Sequence, residues 1–228
     1  MADGSSVQDV ITRLRRIDDE LPRGDGAAVF NRMYLTVTET VAAGLKDDAV
    51  FVDPVFMEHL DVTFASLWIE AYDADGRNVP KAWAALFERR HDRRVLPIQF
   101  ALAGMNSHIA HDLAVAVIRT CRQLDTSPEQ AGVRDDYEAV NKLLAASENK
   151  IRRSFLTKAG QELDAHLDPV VHIVNSWKID KARDVAWVNV EAMWALRQVG
   201  SLAKRYRAAL ARTVGMASRC LLTPTQPG

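Results

Sequence analysis

Residues 97–122, PIQFALAGMNSHIAHDLAVAVIRTCR, constrain the fold of this chain more than any other stretch. Apolar side chains occur on every side of a helical wheel drawn through them, which is the pattern of a helix buried inside a domain. Three ionisable residues, His108, His111 and Asp112, interrupt the pattern and share one stripe of the wheel. Gly104 is predicted one turn below, where it would leave space for a ligand. Because buried polar groups need hydrogen bonds, ion pairs or ligands, the stripe marks a candidate site.

Helical periodicity, capping residues and prolines predict further helices on both sides of this stretch, whereas strand-like alternation is weak throughout. The predicted helices are 7–21, 27–45, 54–72, 81–90, 97–122, 135–156, a segment that opens at Asp168-Pro169, 179–199 and 202–222. Asp53-Pro54 and Asp168-Pro169 each join a capping carboxylate to a proline suited to the first helical position. We therefore predict an all-α, single-domain bundle of about eight helices around a central buried helix.

The composition limits the classes of partner. The 29 basic and 30 acidic residues nearly cancel, which disfavours a nucleic-acid or membrane-surface protein and favours a small-molecule substrate. Two cysteines, the lack of a secretory signal pattern and the lack of a membrane-length apolar run predict a cytoplasmic protein. We expect a flanking helix and turn at residues 1–26, the all-α domain at 27–222 and a disordered tail at 223–228. Homo-oligomerisation is left open.

Ionisable residues on two other predicted helices point to the same site. Asp61 is predicted at the centre of the apolar face of helix 54–72, where a carboxylate must be paired or take part in a site. Arg183 is predicted among apolar residues of helix 179–199 and needs an anion, for which Asp61, Asp112, Glu148 and a substrate are the candidates. The residues predicted to contact a ligand are Arg183, Glu148, Asn141 and Tyr72.

Five stretches of the sequence resemble a bacterial family of unknown function. They are FNRMYLTVTETV (30–41), DPVFMEHLDVTFASLW (53–68), PIQFALAGMNSHIAHDL (97–113), DYEAVNKLL (136–144) and ARDVAWVNVEAMWAL (182–196). The resemblance extends over nearly the whole chain and implies a single domain. Because it implies no activity, the function has to be argued from the residues.

Three interpretations of the central stripe are open. In the first, His108, His111, Asp112 and Asp61 bind a divalent zinc, iron or manganese ion and act as the catalytic residues of a metal-dependent hydrolase or lyase. In the second, a carboxylate orients a histidine that moves a proton in an apolar, metal-free pocket. In the third, the same groups join helices in a non-catalytic binding or scaffold protein. Imidazole and carboxylate groups converging from one helix favour the first, so we predict a metal-dependent small-molecule enzyme.

Overall fold

The computed structural model describes residues 6–47, 49–74, 76–144 and 178–224. Within these ranges the regular elements are all helical, which confirms the predicted all-α class. The helices are α1 (Val7–Glu20), α2 (Gly26–Gly44), α3 (Pro54–Asp73), α4 (Ala84–Arg89), the central helix α5, α6 (133–144), α7 (Ile179–Ala195) and α8 (Gly200–Leu221). Short 3-10 turns occur at Gly76–Asn78 and Leu196–Gln198. Glu148, the predicted start at Asp168-Pro169 and most of the predicted tail lie outside the described residues.

The central helix α5 consists of two α-helical parts joined by a π-helical turn. The first part is Pro97–Ser107, the π turn is His108–Asp112, and the second part is Leu113–Gln123. The N–H of Leu113 donates to the carbonyl of His108, five residues earlier, as a π turn requires. Such a turn adds one residue to the helix and often occurs at functional sites. Here it contains all three polar residues of the central stripe.

The central helix is buried as predicted, since none of residues 98–121 is exposed. Its first part packs against α2 and α8, and its second part packs against α3 and α7. The π turn therefore lies where two apolar clusters meet, one around α1, α2 and α8 and the other around α6 and α7. The predicted flanking helix α1 packs against α2 and α3.

The ends of α3 and α6 are fixed by carboxylates. Asp53 caps α3 as predicted, accepting a hydrogen bond of 2.9 Å from the N–H of Phe56. Asp136, near the start of α6, accepts hydrogen bonds from the backbone N–H groups of Val52 (2.6 Å) and Asp53 (2.7 Å). These bonds hold α6 beside α3. None of the described helices combines the length and the apolar character that crossing a membrane would need.

Candidate functional site

The carboxylate of Asp112 is surrounded by three ring nitrogens. Its Oδ2 accepts a hydrogen bond from Trp83 Nε1 (2.8 Å) and lies 3.2 Å from His108 Nδ1, while its Oδ1 lies 2.7 Å from His111 Nδ1. Burial raises the pKa of Asp112, but the hydrogen bonds from His108 and His111 outweigh this effect and leave the pKa below its usual value. An ionised Asp112 can only accept hydrogen bonds at these contacts, so both histidines are assigned as Nδ1–H donors.

The His108 ring is held in place by aromatic neighbours. Phe64 stacks on it with ring centroids 3.6 Å apart and planes within 9°, and Tyr34 meets it edge-on at 4.4 Å. Burial lowers the pKa of His108, despite the opposing effect of Asp112, so the neutral imidazole is favoured. With Nδ1 donating to Asp112, the Nε2 atom carries a free lone pair. His108 thus has the protonation state of a base.

An apolar cavity of about 70 Å³ lies beside His108 and between helices α2, α3, α5, α6 and α7. A single water needs roughly 10–15 Å³ on such a measure, so the cavity has room for a small organic molecule. Its aliphatic wall includes Met33, Val37, Val41, Leu60, Leu113 and Val140. Walls of this kind favour an apolar ligand body.

Three residues that line this cavity each carry a buried polar atom without a hydrogen-bond partner within the described ranges: His108 Nε2, Asp61 Oδ2 and Tyr34 Oη. They are half of the six such side-chain atoms found there, so the lack of partners is concentrated at one place. Burial, and then the charge of Glu58, raises the pKa of Asp61 to about 7. Burial, and then the charge of Asp61, raises the pKa of Tyr34 well above its usual value, against a smaller opposing effect of the Thr38 hydroxyl, which donates to the Tyr34 backbone carbonyl at 3.1 Å. Near neutral pH the cavity therefore presents a base, a carboxyl group that exchanges its proton and a phenol donor.

Arg183 also lines the cavity. It is 5 % exposed, and its Nε donates to Asn141 Oδ1 at 2.6 Å while its Nη2 donates to the backbone carbonyl of Tyr137. The guanidinium carbon lies 4.2 Å from the centre of the Tyr137 ring. Asn141, predicted to contact a ligand, is absent from the cavity wall and instead orients Arg183.

The structure brings Asp61, His108 and Arg183 to one cavity and places other predicted site residues elsewhere. His111 contacts Asp112 but does not line the cavity. Tyr72 is also absent from the lining, because it lies eleven residues after Asp61, about 16 Å along α3. Its hydroxyl instead donates to Glu20 at 3.2 Å. Glu148, the remaining candidate, is outside the described residues.

The expectation that Gly104 leaves space for a ligand is wrong. A Cβ atom at Gly104 would lie 2.2 Å from Cδ2 of Phe30, so the missing side chain allows Phe30 to pack against α5. The ligand-sized space lies further along, beside Met105 and Ile109. The glycine is evident from the sequence of the helix, whereas the aromatic ring that fills its place comes from another helix and is not.

Two polar partners, Tyr34 and Trp83, are not among the site residues predicted from the sequence. Tyr34 lies in predicted helix 27–45, and its ring is buried while its hydroxyl has no described partner. Trp83 lies in predicted helix 81–90, and its indole N–H donates to Asp112. The signal available in both cases was a polar atom on a predicted core residue, which must find a partner when it is buried.

Metal binding at His108, His111, Asp112 and Asp61 stays a prediction. Among the residues with described coordinates, no group of three or more His, Cys, Asp or Glu side chains is arranged to hold a metal ion. Both oxygens of Asp112 and the Nδ1 atoms of both histidines already take part in the hydrogen bonds described above. The Nε2 atom of His108 is the nitrogen of that ring left for a ligand.

Comparison with known proteins agrees with the resemblance drawn from the five sequence stretches. No curated protein and no solved structure shows detectable similarity to the chain. A family profile does match, over residues 7–224, which includes all the helices described above. The chain therefore belongs to DUF5995, a family of unknown function.

Proposed function

We propose that this protein is a metal-free acid–base enzyme that moves a proton on a small, mainly apolar carbonyl compound. The observation that carries the proposal is the grouping of His108 Nε2, Asp61 Oδ2 and Tyr34 Oη, three buried atoms without described partners, on one apolar cavity. A polar atom buried without a hydrogen bond costs on the order of 1–3 kcal/mol. Three at one cavity are most simply explained if a substrate satisfies them.

The proposed reaction is proton abstraction from a carbon next to a carbonyl group. His108 Nε2 accepts the proton while Asp112 holds the ring through Nδ1. The C–H electron pair moves to the carbonyl oxygen, giving an enolate or enol, and Tyr34 and protonated Asp61 donate hydrogen bonds to that oxygen. Return of the proton from His108 to the same or another carbon completes an exchange or an isomerisation.

The geometry favours this interpretation over the other two. A metal site would need several ligands in one place, and among the described residues no group of three or more His, Cys, Asp or Glu side chains provides them, while Asp112 already accepts from Trp83, His108 and His111. In a scaffold, the cavity-facing atoms would be expected to pair with one another, as Asp112 does with its neighbours. The cytoplasm remains our proposed compartment, on the basis of two free cysteines.

The test follows deuterium uptake by cyclopentanone, cyclohexanone and acetophenone in heavy water. We expect the wild-type protein to accelerate uptake next to the carbonyl of at least one of them, and His108→Asn to lose about a hundred- to ten-thousand-fold of that rate. His59→Asn, which changes an exposed histidine of α3, is the matched control and should keep the full rate. Nitrogen NMR of labelled histidines should show His108 as the Nδ1–H tautomer, with an Nε2 signal that shifts when a ketone binds.

Two results would overturn the proposal. One is that the ketones bind and shift the His108 signal but exchange no faster than in buffer, or that His108→Asn exchanges as fast as the wild type. The other is that elemental analysis of untagged protein finds stoichiometric zinc, iron or manganese that is lost in His108→Asn, which would restore the metal-dependent enzyme.

A further inference from the structure

The ligand class can be narrowed from the environment of Arg183. This side chain is 5 % exposed, and its described polar partners are the amide oxygen of Asn141 and the backbone carbonyl of Tyr137. Both partners are neutral. Burial lowers the pKa of the guanidinium and the charge of Asp184 opposes this effect, but Asp184 pairs with Lys181 at 3.3 Å, and within the described residues no carboxylate forms an ion pair with Arg183. A buried guanidinium keeps its charge and is costly without an anion.

Another arginine shows how the same fold treats a partly buried cation. Arg90 has a side chain that is 19 % exposed, and its Nη2 lies 2.7 Å from the buried carboxylate of Asp25. Asp25 also caps the start of α2, so this ion pair joins two parts of the core. Arg183 is more deeply buried than Arg90 yet lacks such a partner among the described residues. The difference leaves two sources for its anion, a residue outside the described ranges such as Glu148 or a ligand.

Because Arg183 lines the cavity, an anion bound to it would lie in the cavity. Ile179 and Arg183 are one turn apart on α7 and both line the cavity that also contains His108 and Asp61. Helix α7 packs directly against the π turn, so the guanidinium and the imidazole belong to one continuous site. Nε and Nη2 already donate to the protein, and no described group accepts from Nη1. Nη1 is thus the guanidinium nitrogen left to donate to a ligand.

We propose that the cavity takes a small carboxylic acid, with its carboxylate bound by Arg183 and its apolar body against the aliphatic wall. This inference rests on the proposed function, because it assigns the ligand of the same cavity. The carboxylate supplies the anion that Arg183 lacks, and the planar guanidinium suits it better than a point charge would. The substrate would then carry its carboxylate at Arg183 and its reactive carbonyl group near His108.

The test compares each carboxylate with the amide of the same shape. Butanoate, hexanoate and benzoate are titrated calorimetrically against the wild-type protein beside butanamide, hexanamide and benzamide. At least one carboxylate should bind about tenfold or more tightly than its amide, since hydrogen bonds to a charged group are stronger than neutral ones. Arg183→Gln should abolish this preference, and Arg183→Lys, which retains the charge without the planar fork, should keep part of it.

Arg134→Gln is the matched control. Arg134 also contacts the Tyr137 ring, but its side chain is 40 % exposed and pairs with Glu138, so its loss should leave the preference intact. Equal binding of carboxylate and amide by the wild type would overturn the inference, and so would a preference that survives in folded Arg183→Gln. If Arg183→Gln does not fold, the inference is decided by whether the wild-type protein binds a carboxylate more tightly than the matching amide. Amides that bind and shift the His108 signal would leave the proposed function standing, whereas ligands that bind without touching His108 would contradict both.

Discussion

The two sides of the His108 ring differ in how completely their polar atoms are bonded. On the Nδ1 side, Asp112 gathers Trp83, His108 and His111 within 3.2 Å. On the Nε2 side, His108, Asp61 and Tyr34 present atoms that have no partner in the described ranges. Both sides are buried and share one helix turn, so burial alone does not explain the difference. Under the proposed function, the first side has a structural role and the second side binds the substrate.

This contrast has a thermodynamic consequence. Hydrogen bonds between buried polar groups stabilise the folded chain. Buried polar groups that lack a hydrogen bond destabilise it until a ligand binds to them. Changes on the Asp112 side should therefore lower the free energy of unfolding. Changes that make the cavity side less polar should leave it unchanged or raise it, as is common where stability and activity conflict.

At pH 7, the largest effect of a single substitution is expected for Asp112→Asn. The amide replaces one acceptor oxygen with a donor that faces an N–H group, so a buried donor loses its partner and the two imidazoles lose their anion. We expect the free energy of unfolding to fall by about 3 kcal/mol, measured by urea denaturation at pH 7.

Asp19→Asn is the control for this change because Asp19 is an exposed carboxylate of α1, and its effect should stay within about 0.5 kcal/mol. If Asp112→Asn were as mild as Asp19→Asn, the bonded side would not be the structural anchor that the distances indicate.

Much of the fold around His108 was predictable from sequence. The burial of α5, the cap at Asp53 and the placement of Asp61 and Arg183 on core-facing stripes follow from helical periodicity and capping chemistry. The π turn could not be predicted in this way. One inserted residue rotates the following side chains by about 100° on the helical wheel, but the stretch is apolar on all sides and its pattern still indicates a buried helix. Which side of His108 is bonded depends on Trp83 and Tyr34, which lie far away in sequence.

The free energy of unfolding should depend on pH through Asp61. The folded-state pKa is raised from 3.8 to about 7, so folding favours the protonated carboxyl group. The stability linked to that proton is fully present below pH 3.8 and is lost as the pH rises to about 7. Asp61→Asn lacks this titration. Its free energy of unfolding relative to the wild type should therefore increase between pH 4 and pH 8, by on the order of 4 kcal/mol.

Asp19→Asn, which changes an exposed carboxylate of α1, again serves as control. Denaturation curves at several pH values measure both variants. If the difference in stability between Asp61→Asn and the wild type does not change with pH, folding does not raise the pKa of Asp61, and the proposed site loses its proton-exchanging carboxyl group.

The smallest effect is expected for Tyr34→Phe, which is best compared with the same substitution at Tyr137. Tyr137 is also buried, but its hydroxyl donates to the backbone carbonyl of Arg183 at 2.7 Å, whereas that of Tyr34 has no described partner. Tyr137→Phe should lower the free energy of unfolding by about 1–2 kcal/mol, and Tyr34→Phe should leave it within about 0.5 kcal/mol or raise it. Equal losses, measured side by side in urea, would mean that the Tyr34 hydroxyl is bonded as firmly as that of Tyr137. The two sides of His108 would then differ in geometry alone, and the argument that a substrate completes the cavity side would lose one of its three atoms.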